Sequence, residues 1–135
     1  MNIALATQLE DCRKCRRLAR QLQRLRQTHP DYWNRPVPAS GDRQAPVLIV
    51  GLAPGMHGAN KTGQPFVGDA SGELLYRSLD RFKITTQVRI TNAVKCLPVK
   101  NLPNSTEVKN CSRFLQSELF EHMTVKNAVV LALGG

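Results

Sequence analysis

The chain is poor in aromatic residues, in acids and in long apolar runs. Aromatics make up 5% of its 135 residues, with a single tryptophan. An aromatic that falls outside a core stretch therefore needs an explanation. No apolar run approaches the roughly 18 residues that cross a bilayer, which excludes a membrane-spanning helix. Met1 to Asp11 lacks a basic segment leading into an apolar one, so no secretion signal is read and a cytoplasmic protein is expected. No internal repeat or low-complexity segment is present. Asp and Glu number 10 against 19 Lys and Arg, which leaves a net charge of +9 and a pI near 10.0. The excess is not confined to a tail, because both the first 43 residues and the remainder are basic. A small domain so charged points to a polyanion, nucleic acid first; a merely solvated basic surface is the bland alternative. With 41% hydrophobic residues, the length suits one domain with a real core, spanning 1–135.

The apolar periodicity then sets out the elements. Leu18, Leu22 and Leu25 recur at helical spacing, which predicts a helix over 7–27. Prolines and glycine make 28–46 an irregular connector. Val47–Val50 is a short continuous apolar run, the pattern of a buried parallel strand. A long Gly- and Pro-rich loop over 51–69 follows. A helix is predicted over 70–82, with Leu74, Leu75, Leu79 and Phe82 on one face and Asp69 or Ser71 as its cap. Val88–Val94 reads as a second strand and 127–133 as a third. Between them, 105–122 is helical, with Val108, Cys111, Leu115 and Leu119 on one stripe. Alternating helices and strands give an α/β fold with a parallel sheet, whose ligands bind beyond the carboxyl ends of its strands. The last strand is followed at once by Gly134-Gly135, so the chain is expected to lack a further helix and loop.

The 51–69 loop carries Lys61-Thr62 behind several glycines, yet it does not fit a phosphate-binding P-loop. Asn60 stands where the second glycine should be, and Gly63-Gln64-Pro65 follows where a helix should open. Phe66 and Asp69 remain to be explained. An aromatic face, backbone donors at the Ala53-Pro54-Gly55 turn and a carboxylate suit a planar polar ligand such as a nucleobase. The plain alternatives are that Phe66 packs the loop and that Asp69 only caps a helix. Four cysteines complete the inventory: Cys12 and Cys15 in a C-x2-C, then Cys96 and Cys111. Without an export signal, disulfides are disfavoured. The set could bind zinc or a [4Fe–4S] cluster, or be buried free thiols, and the spacing does not choose.

These stretches together resemble the iron–sulfur members of the uracil-DNA glycosylase superfamily. "GLAPGMHGANKTGQPFVGD" (51–69) is similar to their first active-site motif, and "RITNAVKC" (89–96) to the strand that ends in a cluster cysteine. "WNRPVPASGD" (33–42) is similar to the connector of the family 5 (type B) enzymes. Family 4 has glutamate after the first glycine, where this chain has Leu52. Gln64-Pro65-Phe66-Val67 is nearer family 4, but His57-Gly58-Ala59-Asn60 and Asp69 follow family 5.

The resemblance implies a three-layer α/β/α fold around a central parallel sheet, incomplete at its C-terminal end. It implies hydrolysis of the N-glycosidic bond of uracil, and of other deaminated bases, in DNA, leaving an abasic site. Phe66 would stack on the flipped base and Asn92 would hydrogen-bond its edge. Backbone at Leu52 and Ala53 would hold a carbonyl, and Asp69 would position water or stabilise the cationic sugar. Cys12, Cys15, Cys96 and Cys111 would hold a structural [4Fe–4S] cluster, with zinc as the alternative. His57 is expected on the loop surface, and Lys61 and Lys95 solvated or facing phosphate. The partner would be DNA, the protein a monomer, and no membrane is involved. The superfamily's later His-containing loop has no counterpart before Gly135, so weak or no activity is expected of this chain alone. A non-catalytic metal- or cluster-bearing nucleic-acid-binding module is the rival reading, and a nucleotide-binding domain a lesser one.

Overall fold

The computed structural model describes residues 3–134. Its centre is a four-stranded sheet in the order β1-β3-β2-β4, formed by Ser40–Gly41 (β1), Val47–Gly51 (β2), Val88–Asn92 (β3) and Val129–Ala132 (β4). β2 runs parallel to both β3 and β4, whereas the two-residue β1 is antiparallel to β3. The sheet is therefore mixed at one edge. The parallel register aligns Ile49 with Ile90, and Val50 with Thr91.

That register divides the faces. Ile49, Val88 and Ile90 form a buried cluster with Leu79 of the helix Ala70–Arg81, which we call α4. The opposite face presents Thr91, whose hydroxyl bonds Glu118 on the helix Ser105–His122, or α5. Leu9, Cys111 and Phe114 pack the N-terminal helix Ile3–Glu10 (α1) onto α5, so the three layers are helix, sheet and helix. Arg17, on the helix Arg16–Thr28 (α2), pairs with Glu107 of α5 at 2.8 Å, 90 positions away in the chain. Among the described residues no helix is long and apolar enough to cross a membrane.

Several expectations need correcting. The helix predicted over 7–27 is two helices, because the chain breaks at Asp11–Cys15 to set both cysteines outside regular structure. The connector contains β1, and the Gly/Pro loop contains a one-turn helix, Ala59–Thr62 (α3). On α4, Leu74 and Phe82 are exposed, and only Leu79 of the expected face is buried. On α5 the buried stripe is Glu107, Cys111, Phe114, Glu118 and His122, while Val108 is exposed. A hydrophobicity pattern misses that stripe because three of its members are polar and are satisfied by partners on other elements. The largest error concerns Lys95, which is neither solvated nor phosphate-facing but 0% exposed.

Candidate active site

The carboxyl ends of β2 and β3 are zipped beyond the sheet itself. Ala93 N–H donates to Gly51 O and Val94 N–H to Leu52 O, both at 2.9 Å. This joins two loops that come from different parts of the sequence, and a cavity of about 380 Å³ opens at their junction. Leu52, Ala53, Phe66, Asp69 and Asn92 all line it. Five residues read separately from the sequence are thus neighbours, at the place an α/β sheet keeps for ligands. Asn101 and Leu133 also line the cavity and were not anticipated; neither belongs to a recognisable motif.

Asn92 is 2% exposed, and its Oδ1 has no hydrogen-bond partner within the protein. A buried acceptor left open costs about 1–3 kcal/mol, so it is expected to meet a donor from outside. Phe66 stands across from it with φ of +62°, a backbone conformation that a bulky residue adopts only when its surroundings enforce it. The reason lies at Gly51. A Cβ there would come within 2.5 Å of both Asn92 Oδ1 and the Phe66 ring, so amide and ring crowd one bare Cα.

Asp69 serves two ends at once. Its Oδ1 accepts from Gly72 N–H at 2.9 Å and caps α4. Its Oδ2 lies against the backbone of Gly55 and Gly58, close enough that a side chain at Gly58 would collide with it. Capping fixes the carboxylate against the loop and leaves the second oxygen on the cavity side.

The loop is held from outside by the connector. Trp33 N–H donates to Lys61 O (3.0 Å) and Asn34 N–H to Asn60 O (3.1 Å). The buried side-chain amides of Asn60 and Asn34 meet at 3.0 Å. His57 is exposed and shares a 2.8 Å hydrogen bond with the Tyr32 hydroxyl, while the Lys61 ammonium sits over the Tyr32 ring. Lys61 and Thr62 end α3 rather than open it, as the rejected P-loop would require.

A second, narrow cavity of about 20 Å³ is lined by Cys12, Cys15, Cys96 and Cys111 together, with Leu9, Leu18, Val94 and Phe114 as apolar wall. N–H groups point at three of the sulfurs: Lys95 backbone to Cys111 (3.3 Å), Asn110 Nδ2 to Cys15 (3.6 Å) and Arg113 Nη2 to Cys12 (3.9 Å). Burial, reinforced by the other cysteines, pushes the Cys96 thiol well above its ordinary range; burial also raises Cys15 and Cys111. Among the described residues, no three His, Cys, Asp or Glu side chains form a closed single-metal site. A third cavity, a groove of about 470 Å³, is lined by Arg13, Arg16, Arg20, Arg26 and Arg35, with Glu10 and Asp11 also on its wall.

The family described as "Uracil DNA glycosylase superfamily" matches residues 38–135. A type-5 uracil-DNA glycosylase of Pyrobaculum aerophilum is 44% identical over 117 residues, covering 76% of this chain and 50% of that protein. The type-5 enzyme of Mycobacterium leprae is 38% identical, covering 97% of this chain and 66% of its own. A type-4 uracil-DNA glycosylase of Archaeoglobus fulgidus is 33% identical, covering 96% and 58%. The chain spans about half the length of the Pyrobaculum relative. The family match takes in β2, β3, α4 and α5, and with them every residue of the first cavity named above, so the chain belongs to the uracil-DNA glycosylase superfamily.

Proposed function

We propose that this protein is a type-5 uracil-DNA glycosylase, hydrolysing the N-glycosidic bond of uracil and of other deaminated bases in DNA. The observation that carries the proposal is the unpartnered, buried Oδ1 of Asn92, a residue that lines the cavity together with Phe66. The bond to be cut lies inside the duplex, so the nucleotide must first leave the stack. The base would then lie on Phe66, with Asn92 Oδ1 accepting the uracil N3–H and backbone at Leu52 and Ala53 holding a carbonyl. As the bond lengthens, charge moves onto the base and a cationic sugar remains. Donors aimed at the uracil carbonyls stabilise the first, and the fixed carboxylate of Asp69 the second. The same carboxylate can orient the attacking water. An abasic site is the product.

The four cysteines would hold a [4Fe–4S] cluster, with zinc as the alternative. The donor set carries this assignment, not the present width of the cavity: four thiols with N–H groups aimed at sulfur, behind an apolar wall. Such a group would be structural, tying α1 and α2 to the loop after β3. The arginine groove would receive DNA phosphates. We further propose that the protein works as a monomer on the cytoplasmic chromosome.

The test is uracil release from a labelled duplex, read as alkali cleavage of the abasic strand. The loaded chain is assayed beside any longer product of its reading frame. Release that depends on Asp69 and Asn92 supports the reading. A folded, loaded protein that neither releases nor binds uracil overturns it and leaves a nucleic-acid-binding module.

A further inference from the structure

The least expected group in the molecule is a fully buried ammonium, Lys95, three positions after Asn92 on the cavity wall. Lys95 Nζ makes three hydrogen bonds: to Glu118 Oε1 (2.5 Å), to Thr91 Oγ1 (2.5 Å) and to the backbone carbonyl of Asn92 (2.7 Å). Glu118 is 4% exposed and also accepts from Thr91 Oγ1 with both oxygens, at 3.0 and 3.1 Å. The network is closed, and nothing in the proposed chemistry uses it. A buried ion pair is weak evidence for stability, because desolvation offsets most of its attraction, so its place in the fold matters more. It sits under the turn Asn92–Lys95. Among the described residues its only backbone acceptor is the carbonyl of Asn92, which lines the cavity.

We infer that Lys95 is a positioning residue, which with Glu118 and Thr91 clamps the Asn92 carbonyl and so fixes where the Asn92 side chain points. The other restraints on the turn act on different backbone groups. Ala93 N–H donates to Gly51 O at the end of β2, Val94 N–H to Leu52 O just beyond it, Lys95 N–H to Cys111 Sγ at 3.3 Å, and Lys95 O accepts from Val37 N–H at 2.7 Å; none of these bonds is made by the Asn92 carbonyl. Without the ammonium, the Asn92 peptide can tilt, and a buried amide must be held within a fraction of an ångström to bind well. The inference rests on Asn92 contacting the base, but the clamp can be measured without that assumption.

Lys95→Met alone would strand a buried carboxylate and is expected to fold poorly. The test variant is therefore Thr91→Val/Lys95→Met/Glu118→Met, which removes the network and leaves an apolar core of similar volume. Two readouts are taken on folded protein of matched stability: hydrogen exchange of the Asn92–Leu97 segment, and affinity for free uracil. The clamp predicts faster exchange confined to this segment and uracil binding weaker by about tenfold, the worth of one well-made hydrogen bond. In an Asn92→Ala background the triple change should cost no further affinity. Faster local exchange in a protein whose parent does not bind uracil would keep the clamp and remove the base-binding reading. Unchanged exchange overturns the clamp whatever the affinity does.

Discussion

At Asp69, two jobs can be separated because they need different properties of one side chain. Asparagine caps a helix about as well as aspartate, so Asp69→Asn should leave the melting temperature nearly unchanged while uracil release falls sharply. Asp69→Ala should lose release as well and also cost about 1 kcal/mol of stability, read by denaturant titration. Gly51 offers the opposite contrast. A single methyl there has no space between Asn92 Oδ1 and the Phe66 ring, so Gly51→Ala should weaken free-uracil binding at least tenfold, measured by calorimetry. Both positions were legible in the sequence as parts of a glycine-rich loop followed by an unexplained aromatic and an acid. Lys95 was not. A lysine after a strand ordinarily reads as solvated, and only the long-range approach of Glu118, 23 positions on, makes burial affordable.

Elements with one-sided apolar patterns were legible, and those governed by polar partners were not. The start of α5 follows from its sequence, since Asn104 and Glu107 form a reciprocal capping box. The orientation of α5 does not, because its buried stripe includes Glu107, Glu118 and His122. The partners of Glu107 and Glu118 come from α2 and β3, which no local window contains, and His122 bonds a β4 backbone carbonyl seven positions on, which a periodicity of side chains does not register. The break between α1 and α2 was hidden differently: Asp11, Cys12 and Cys15 are poorer helix formers than Arg13 and Lys14 beside them, but without Gly or Pro they do not by themselves stop a helix. The Arg17–Glu107 contact makes the α2–α5 junction sensitive to acid. The Arg17 hydrogen bond, then backbone donation at Asn104, holds the Glu107 carboxyl below its ordinary value. A depressed carboxyl pKa means that its stabilisation is complete above the unfolded value and is lost as pH falls through the folded one. Thermal melts from pH 7 down into the acid range should show this loss. Glu107→Gln should flatten that part of the profile and lower stability at neutral pH.

At the scale of the molecule, the charge of +9 is partly organised into the groove lined by five arginines. If the groove takes phosphates, the logarithm of DNA affinity should fall linearly with that of salt concentration. Replacing Arg16 and Arg20 by alanine should then reduce the slope by about 2, since each neutralised phosphate contributes about 0.9. An unchanged slope would show that the two arginines are only solvated. The α/β plan, the parallel part of the sheet and the place of the first cavity were readable from apolar periodicity and strand ends, whereas the groove depends on how α2 meets the connector. The other large-scale feature is the outer strand. Among the described residues β4 pairs only with β2, and Val129, Val130 and Leu131 are all about half exposed. Such a border is sticky, because its open backbone groups can recruit a strand from another molecule. The 135-residue chain purified as such is therefore expected to associate through this strand. Light scattering should climb with concentration on storage, and Val130→Lys should keep the sample clear.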